Sequence, residues 1–215
     1  MHREAIGLLA GAGLLVVAVA LHPLFADPWG STAVLALIAG DRLWGADHLL
    51  MAAAMFFWIG SLANIGIRED TATTRIAVSA FVAGLTLWLL ILALETTWIQ
   101  PAARWAVGQS AELQTLTSRM GGFTLLAGDF AMVLIWLGLV ALAQGLGATK
   151  RISLRMARFG RVEAWIGVGG LMGALIFRQQ AVLWLAISAF VPFLWTGWLG
   201  IALLRQGASS PLQKP

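Results

Sequence analysis

Five ionisable side chains lie near one end of successive apolar segments. His22 follows the first segment, Asp47 and His48 open the second, and Glu95 stands about one helical turn before the end of the third. Asp129 is nine residues into the fourth segment, which is about 13 Å along a helix. Ionisable groups inside apolar spans are costly, and they are therefore candidates for function.

Side chains of these types support three kinds of chemistry. Two imidazoles with two or three carboxylates suit a hard or borderline divalent metal ion. They also suit a proton relay, or an acid–base pair that acts on a lipid headgroup. We expect an outward-opening polar pocket with Asp129 as its floor, and the candidate metal ligands are His22, His48, Glu95 and Asp129.

Each of these residues also has a structural explanation. The two histidines lack the His-x-x-x-His spacing of a helical metal site and can sit at the membrane interface. Asp47 can stabilise the first turn of its helix, and Glu95 can reach water. Asp129 has no Lys or Arg in its own span, so it must be protonated or hydrogen-bonded across helices.

Composition predicts an integral membrane protein. The chain has 215 residues, of which 60% are hydrophobic and 11% charged, and a mean hydropathy of +0.85. A soluble domain would carry about 25% charged residues. The absence of cysteine excludes disulfides, Cys-ligated zinc and iron–sulfur clusters.

Hydropathy predicts an all-α polytopic membrane protein, because about 20 apolar residues cross a bilayer. Residues 1–205 form a single transmembrane domain, and 206–215 form a cytoplasmic tail. The six spans cover approximately residues 5–25, 45–67, 76–99, 120–147, 162–177 and 181–204. The apolar segment 31–40 is too short to cross the bilayer, so we expect it to form a short outer-surface helix between spans 1 and 2. The polar stretch 100–119 is expected to lie along the same surface.

Two pairs of glycines spaced four apart predict close helix packing. Gly7 and Gly11 lie in the first span, and Gly169 and Gly173 lie in the fifth.

The basic residues predict the orientation. Six spans place both termini on one side. That side carries ten of the fourteen Lys and Arg residues, five of them in the loop 150–161, and the other side carries Arg42, Arg104, Arg119 and Arg178. The positive-inside rule then puts both termini in the cytoplasm of a bacterial inner membrane. It also accounts for the sequence pI near 11, so membrane lipids are expected as partners and nucleic acid is not.

Two stretches carry a resemblance. Residues 42–50 read RLWGADHLL, while residues 136–173 carry a Trp-Leu-Gly-Leu stretch, the basic loop and a glycine-rich span. In these features the chain resembles a broad group of uncharacterised bacterial six-span membrane proteins. The resemblance implies a bacterial six-span fold and a shared Asp47, and it implies no activity. The group usually has a proline before the fifth span, and this chain has none there.

Three functional hypotheses follow. The first is a non-enzymatic ligand-binding or accessory component, with other membrane proteins as further partners. The second is a metal-dependent membrane enzyme that acts on a lipid-like substrate through Asp129, Glu95 and His48. The third is a small proton-coupled transporter.

The orientation gives a first testable prediction. A reporter enzyme that is active only in the periplasm should be silent when fused after Arg161, because the basic loop stays in the cytoplasm. The same reporter fused after Gln109 should be active. Activity at Arg161 with silence at Gln109 would reverse the orientation.

Overall fold

The computed structural model describes residues 2–23 and 32–209, and its regular elements are helical. The long helices are α1 (His2–Leu21), α3 (Trp44–Glu69), α4 (Ala72–Leu94), α6 (Ala111–Ala148), α7 (Leu154–Ile176) and α8 (Ala181–Ser209). The short elements are α2 (Thr32–Gly40), a π-helical turn (Glu95–Ile99), α5 (Gln100–Ala106) and a 3-10 turn (Arg178–Gln180).

The predicted fold class is confirmed. Six helices are long and apolar enough to cross a membrane, and the third of these runs without a break from α4 through the π-helical turn into α5. The short helix α2 lies between the first two spans, as predicted.

The six spans form a closed ring in which each packs against two neighbours. The order around the ring is α1, α3, α4, α6, α7, α8 and back to α1. Both described chain ends therefore lie at one end of the ring, which we name the termini end. The opposite end carries His22 and the start of α3, and we name it the histidine end.

Local sequence explains where several helices begin. Thr71 and Thr74 form a reciprocal capping box at the start of α4. The side chains of Ser110 and Ser153 accept backbone N–H groups at the starts of α6 and α7. These oxygens satisfy donors that a helix N-terminus otherwise leaves unpaired.

An aromatic cluster fills the centre of the ring. The ring of Trp58 stacks on Phe193 at a centroid distance of 4.3 Å, and it meets Trp136 edge-on at 5.7 Å. The indole N–H of Trp136 donates to Ser188 Oγ at 3.2 Å. This packing closes the middle of the bundle.

Three boundaries differ from the sequence prediction. Residues 111–119, expected on the surface, continue into α6 because Ser110 caps the helix there. Part of the basic loop is the first turns of α7, and α8 extends to Ser209, so the tail predicted from residue 206 begins as helix. Residues 24–31, which hold the predicted end of span 1, and residues 210–215 lie outside the described part of the chain.

The two glycines of α1 lie close against α3. A Cβ on Gly7 would overlap the Ser61 side chain, and a Cβ on Gly11 would lie 2.5 Å from the Trp58 backbone nitrogen. The absence of side chains at these two positions lets α1 approach α3 closely.

The two glycines named for α7 lie in different surroundings. Gly173 packs on the ring of Trp184, but Gly169 is exposed, with no described atom within 4 Å of its Cβ position. Gly170 packs on α8 instead, where a Cβ would lie 2.8 Å from Ser188 nitrogen. At 3.6 residues per turn, Gly169 is rotated by about 100° from Gly170 and faces outward.

The α1–α3 contact gives a second prediction. The substitution Gly11→Ala should destabilise the protein by about 1–3 kcal/mol, because the added methyl group has no room against Trp58. Gly13→Ala is the matched control, since no described atom lies within 4 Å of its Cβ position. Thermal unfolding in detergent would compare the variants, and equal midpoints would contradict the close packing.

Candidate functional site

Four ionisable side chains meet at the histidine end. Asp47 is fully buried, and its two carboxylate oxygens face two different imidazoles. Oδ2 lies 2.9 Å from His22 Nδ1, and Oδ1 lies 2.7 Å from His48 Nδ1. His48 Nε2 in turn lies 3.0 Å from Glu95 Oε2. We name His22, Asp47, His48 and Glu95 the polar cluster.

The helix ends position these side chains. His22 comes directly after α1, Asp47 and His48 lie in the first turns of α3, and Glu95 opens the π-helical turn. A π-helical turn inserts one residue into an α-helix, and such turns are frequent at functional sites. The cluster thus depends on three separate parts of the chain.

The backbone orients the His48 ring. Its Nδ1 lies 2.7 Å from the Trp44 carbonyl oxygen, one helical turn earlier. A carbonyl oxygen only accepts, so Nδ1 carries the proton and donates. The other nitrogen, Nε2, faces Glu95 Oε2 at 3.0 Å, and a proton on Nε2 or on the Glu95 carboxyl completes that contact. Metal-binding histidines are commonly oriented by a backbone carbonyl in this way.

Trp44 is a site residue that was not among the candidates predicted from the sequence. Its ring is buried, and its centroid lies 4.3 Å from that of His48 and 5.3 Å from that of His22. Its indole N–H donates to the Glu95 carbonyl oxygen at 3.0 Å. The signal was present in the sequence, because Trp44 and His48 are four residues apart and so share a helix face.

The short helices α2 and α5 cover this end of the bundle. They pack on each other through an apolar cluster of Leu35, Ile38, Trp44, Ile99, Ala103 and Ala106. The Gln100 amide donates to the Asp41 carbonyl at 2.8 Å, and Arg104 Nε donates to the Ala39 carbonyl at 3.2 Å. We name this pair of helices the roof.

A cavity of about 360 Å³ lies below the roof. His22, His48 and Glu95 line its upper part, and Asp129 lines its wall. Asp129 is 6% exposed, and its Oδ2 has no hydrogen-bond partner among the residues that the structure describes. Four of the five predicted residues therefore line this cavity, and the fifth, Asp47, contacts two of them, His22 and His48, from outside the lining.

The geometry changes the candidate metal ligands. In the described residues, the set whose donor atoms all lie within 4.8 Å of one another is His22, Asp47 and His48. Glu95 and Asp129 were predicted as ligands and are not part of this set, whereas Asp47 was predicted only as a pocket residue. The order of residues along a helix could not show that Asp47 lies between the two rings.

Comparisons with known proteins give no further guide. No family model matches the chain, and neither the curated proteins nor the solved structures contain a match. The resemblance to uncharacterised six-span proteins stays a prediction.

The buried carboxylate gives a third prediction. Asp47→Asn should lower the free energy of unfolding by about 1–3 kcal/mol, because one of the two oxygens that face the imidazoles is lost. The control is Asp70→Asn, which alters an exposed ion pair with Arg75 and should cost less than about 1 kcal/mol. Chemical unfolding in mixed micelles would measure the free energy of unfolding of both variants. An equal decrease in the two would contradict a stabilising role for the contacts of Asp47 with the imidazoles.

Proposed function

We propose that the chain is a bacterial inner-membrane protein that binds a divalent first-row transition metal ion on its periplasmic side. In this proposal it is a ligand-binding or accessory component, and His22, Asp47 and His48 are the ligands. The observation that carries the proposal is the mutual distance of their donor atoms, all within 4.8 Å, contributed by the end of α1 and the start of α3.

The donor set favours particular ions. Two imidazole nitrogens and one carboxylate oxygen suit Zn²⁺ and its first-row neighbours better than Mg²⁺ or Ca²⁺, which prefer oxygen. Three protein ligands would leave a position for water or a further ligand. Glu95, whose Oε2 lies 3.0 Å from His48 Nε2, is a further carboxylate close to this set.

The exposure of the ligands supports access from one side. Asp47 and His48 are buried, but the His22 side chain is 25% exposed. An ion would therefore reach the set past His22. The periplasmic location rests on the distribution of basic residues, which places the histidine end away from the cytoplasm.

The other two hypotheses receive unequal support. The cavity next to the polar cluster favours a metal-assisted enzyme acting on a lipid-like substrate as the second candidate, since it could hold an apolar chain beside the metal. Transport receives less support. The rings of Trp58, Trp136 and Phe193 fill the centre of the bundle, so an ion would have to displace them to cross.

Metal binding gives a fourth prediction. The purified protein, dialysed against Zn²⁺ and then washed, should retain about one equivalent by elemental mass spectrometry. His22→Gln removes one ligand and should weaken binding by at least roughly tenfold. A chelator should lower the unfolding temperature of the wild type, because an ion bound only to the folded state stabilises it.

The third histidine of the chain supplies the control. His2 is exposed at the termini end, so His2→Gln should retain both the metal and the response to chelator. Wild-type protein without metal, or equal metal contents in the two variants, would refute the site.

A further inference from the structure

The first turns of α7 carry three arginines that have no acidic partner. Arg155, Arg158 and Arg161 follow one another at intervals of three, and residues with this spacing are neighbours on a helix surface. None of their guanidinium groups forms an ion pair or a hydrogen bond with another residue in the described ranges 2–23 and 32–209. Neighbouring like charges destabilise a helix, so these arginines favour an anion from outside the protein.

The side-chain carboxylates near the termini end are not available to these arginines. Three of them form ion pairs with other basic residues, and the pairs are Glu4–Arg68, Glu69–Arg151 and Asp70–Arg75. The fourth, Glu163, is on α7 but only 3% exposed. At 3.6 residues per turn it is rotated by about 140° from Arg158 around the helix axis.

Arg155 and Arg158 lie on the side of α7 that faces away from the bundle. Both are exposed, and the exposed residues that follow them on this helix are apolar, namely Phe159, Val162, Trp165 and Ile166. Val162 lies within about 40° of both arginines around the helix axis. A pair of cations followed by an exposed apolar stripe matches the two parts of a phospholipid, a charged head and acyl chains.

The position of the two arginines along the span suits a lipid headgroup. The helix α7 has 23 residues, so it is about 34 Å long, slightly more than the roughly 30 Å of a hydrocarbon core. Arg155 and Arg158 lie about 1.5 and 6 Å from its first residue. Long arginine side chains near a helix end extend toward the headgroups, so both guanidinium groups can reach the level of the phosphates.

The net charge of the headgroup decides which lipid fits. A guanidinium group can bind phosphate through two parallel N–H···O bonds. A zwitterionic headgroup brings an ammonium group of its own and adds a positive charge beside the arginines. An anionic headgroup adds none, and clusters of basic residues at a membrane surface are typical of anionic-lipid binding.

We propose that Arg155 and Arg158 bind the headgroup of an anionic phospholipid in the leaflet at the termini end, with its acyl chains along Val162, Trp165 and Ile166. The site lies at the opposite end of the bundle from His22 and Asp47. It therefore does not depend on a bound metal ion or on the proposed function.

Native mass spectrometry of the full chain would test the proposal. The protein is freed of lipid in detergent and titrated with dioleoyl phosphatidylglycerol or with dioleoyl phosphatidylethanolamine, which has the same chains and no net charge. Phosphatidylglycerol should bind at least roughly tenfold more tightly. Glycerol phosphate, which has a similar head and no chains, should not displace it.

Two variants test the headgroup contacts. Arg155→Gln and Arg158→Gln should each weaken the binding of phosphatidylglycerol about fivefold and leave that of phosphatidylethanolamine unchanged. Arg75→Gln is the matched control, because it removes the same charge at the same end from an exposed arginine that pairs with Asp70. It should change the binding of phosphatidylglycerol by less than about twofold. If one α7 variant does not fold, the other decides the test.

Three results would overturn the proposal. Equal binding of the two lipids would show that the head charge is not recognised. Displacement of the lipid by glycerol phosphate would indicate a site for a soluble phosphate instead. An equal effect of Arg75→Gln and the α7 variants would show a general effect of net charge. The metal site is judged separately with His22→Gln, which should lose the ion and keep the lipid preference.

Discussion

The histidine end depends on one interaction, the burial of Asp47 between two imidazoles. A buried carboxylate is strongly unfavourable unless each oxygen finds a partner. The two partners come from different helices, since His48 is on α3 and His22 follows α1. The pairing therefore requires α1 to lie close to α3, and the small side of α1 at Gly7 and Gly11 permits that approach. The contact between His22 and Asp47 at the end of the bundle therefore depends on the close packing of α1 against α3.

The two ends of the bundle are held in different ways. At the termini end, Arg68 pairs with Glu4 and Arg151 pairs with Glu69, each at 2.7 Å, which ties α3 to α1 and to the loop between α6 and α7. The aromatic cluster of Trp58, Trp136 and Phe193 belongs to the main hydrophobic core at the centre. The cavity lies beyond that cluster, toward the histidine end, where two short helices replace a solid core. The half of the bundle at the termini end is thus held by ion pairs, and the half at the histidine end contains the cavity.

The sequence predicted the spans because their apolar length alone is decisive, and it found the polar cluster because ionisable residues are rare in such spans. The sequence did not predict the contacts between elements. No local signal shows that α2 packs on α5, that the backbone forms a π-helical turn at Glu95, or that Asp47 replaces Glu95 and Asp129 among the closest donor atoms. The four-residue spacing of Gly169 and Gly173 could not show which helix face meets a neighbour, and Gly169 is exposed in the structure.

The π-helical turn couples the roof to the polar cluster mechanically. The Glu95 carbonyl accepts both the Gln100 backbone N–H, five residues later, and the Trp44 indole N–H. Its carboxylate meanwhile contacts His48. If the extra residue of this turn moved along the helix, α5 would rotate by about 100° and shift by about 1.5 Å. Gln100 would then leave the Asp41 carbonyl, and Trp44 would lose its acceptor. The position of the roof helix α5 and the contact with His48 therefore both depend on one residue of this turn, Glu95.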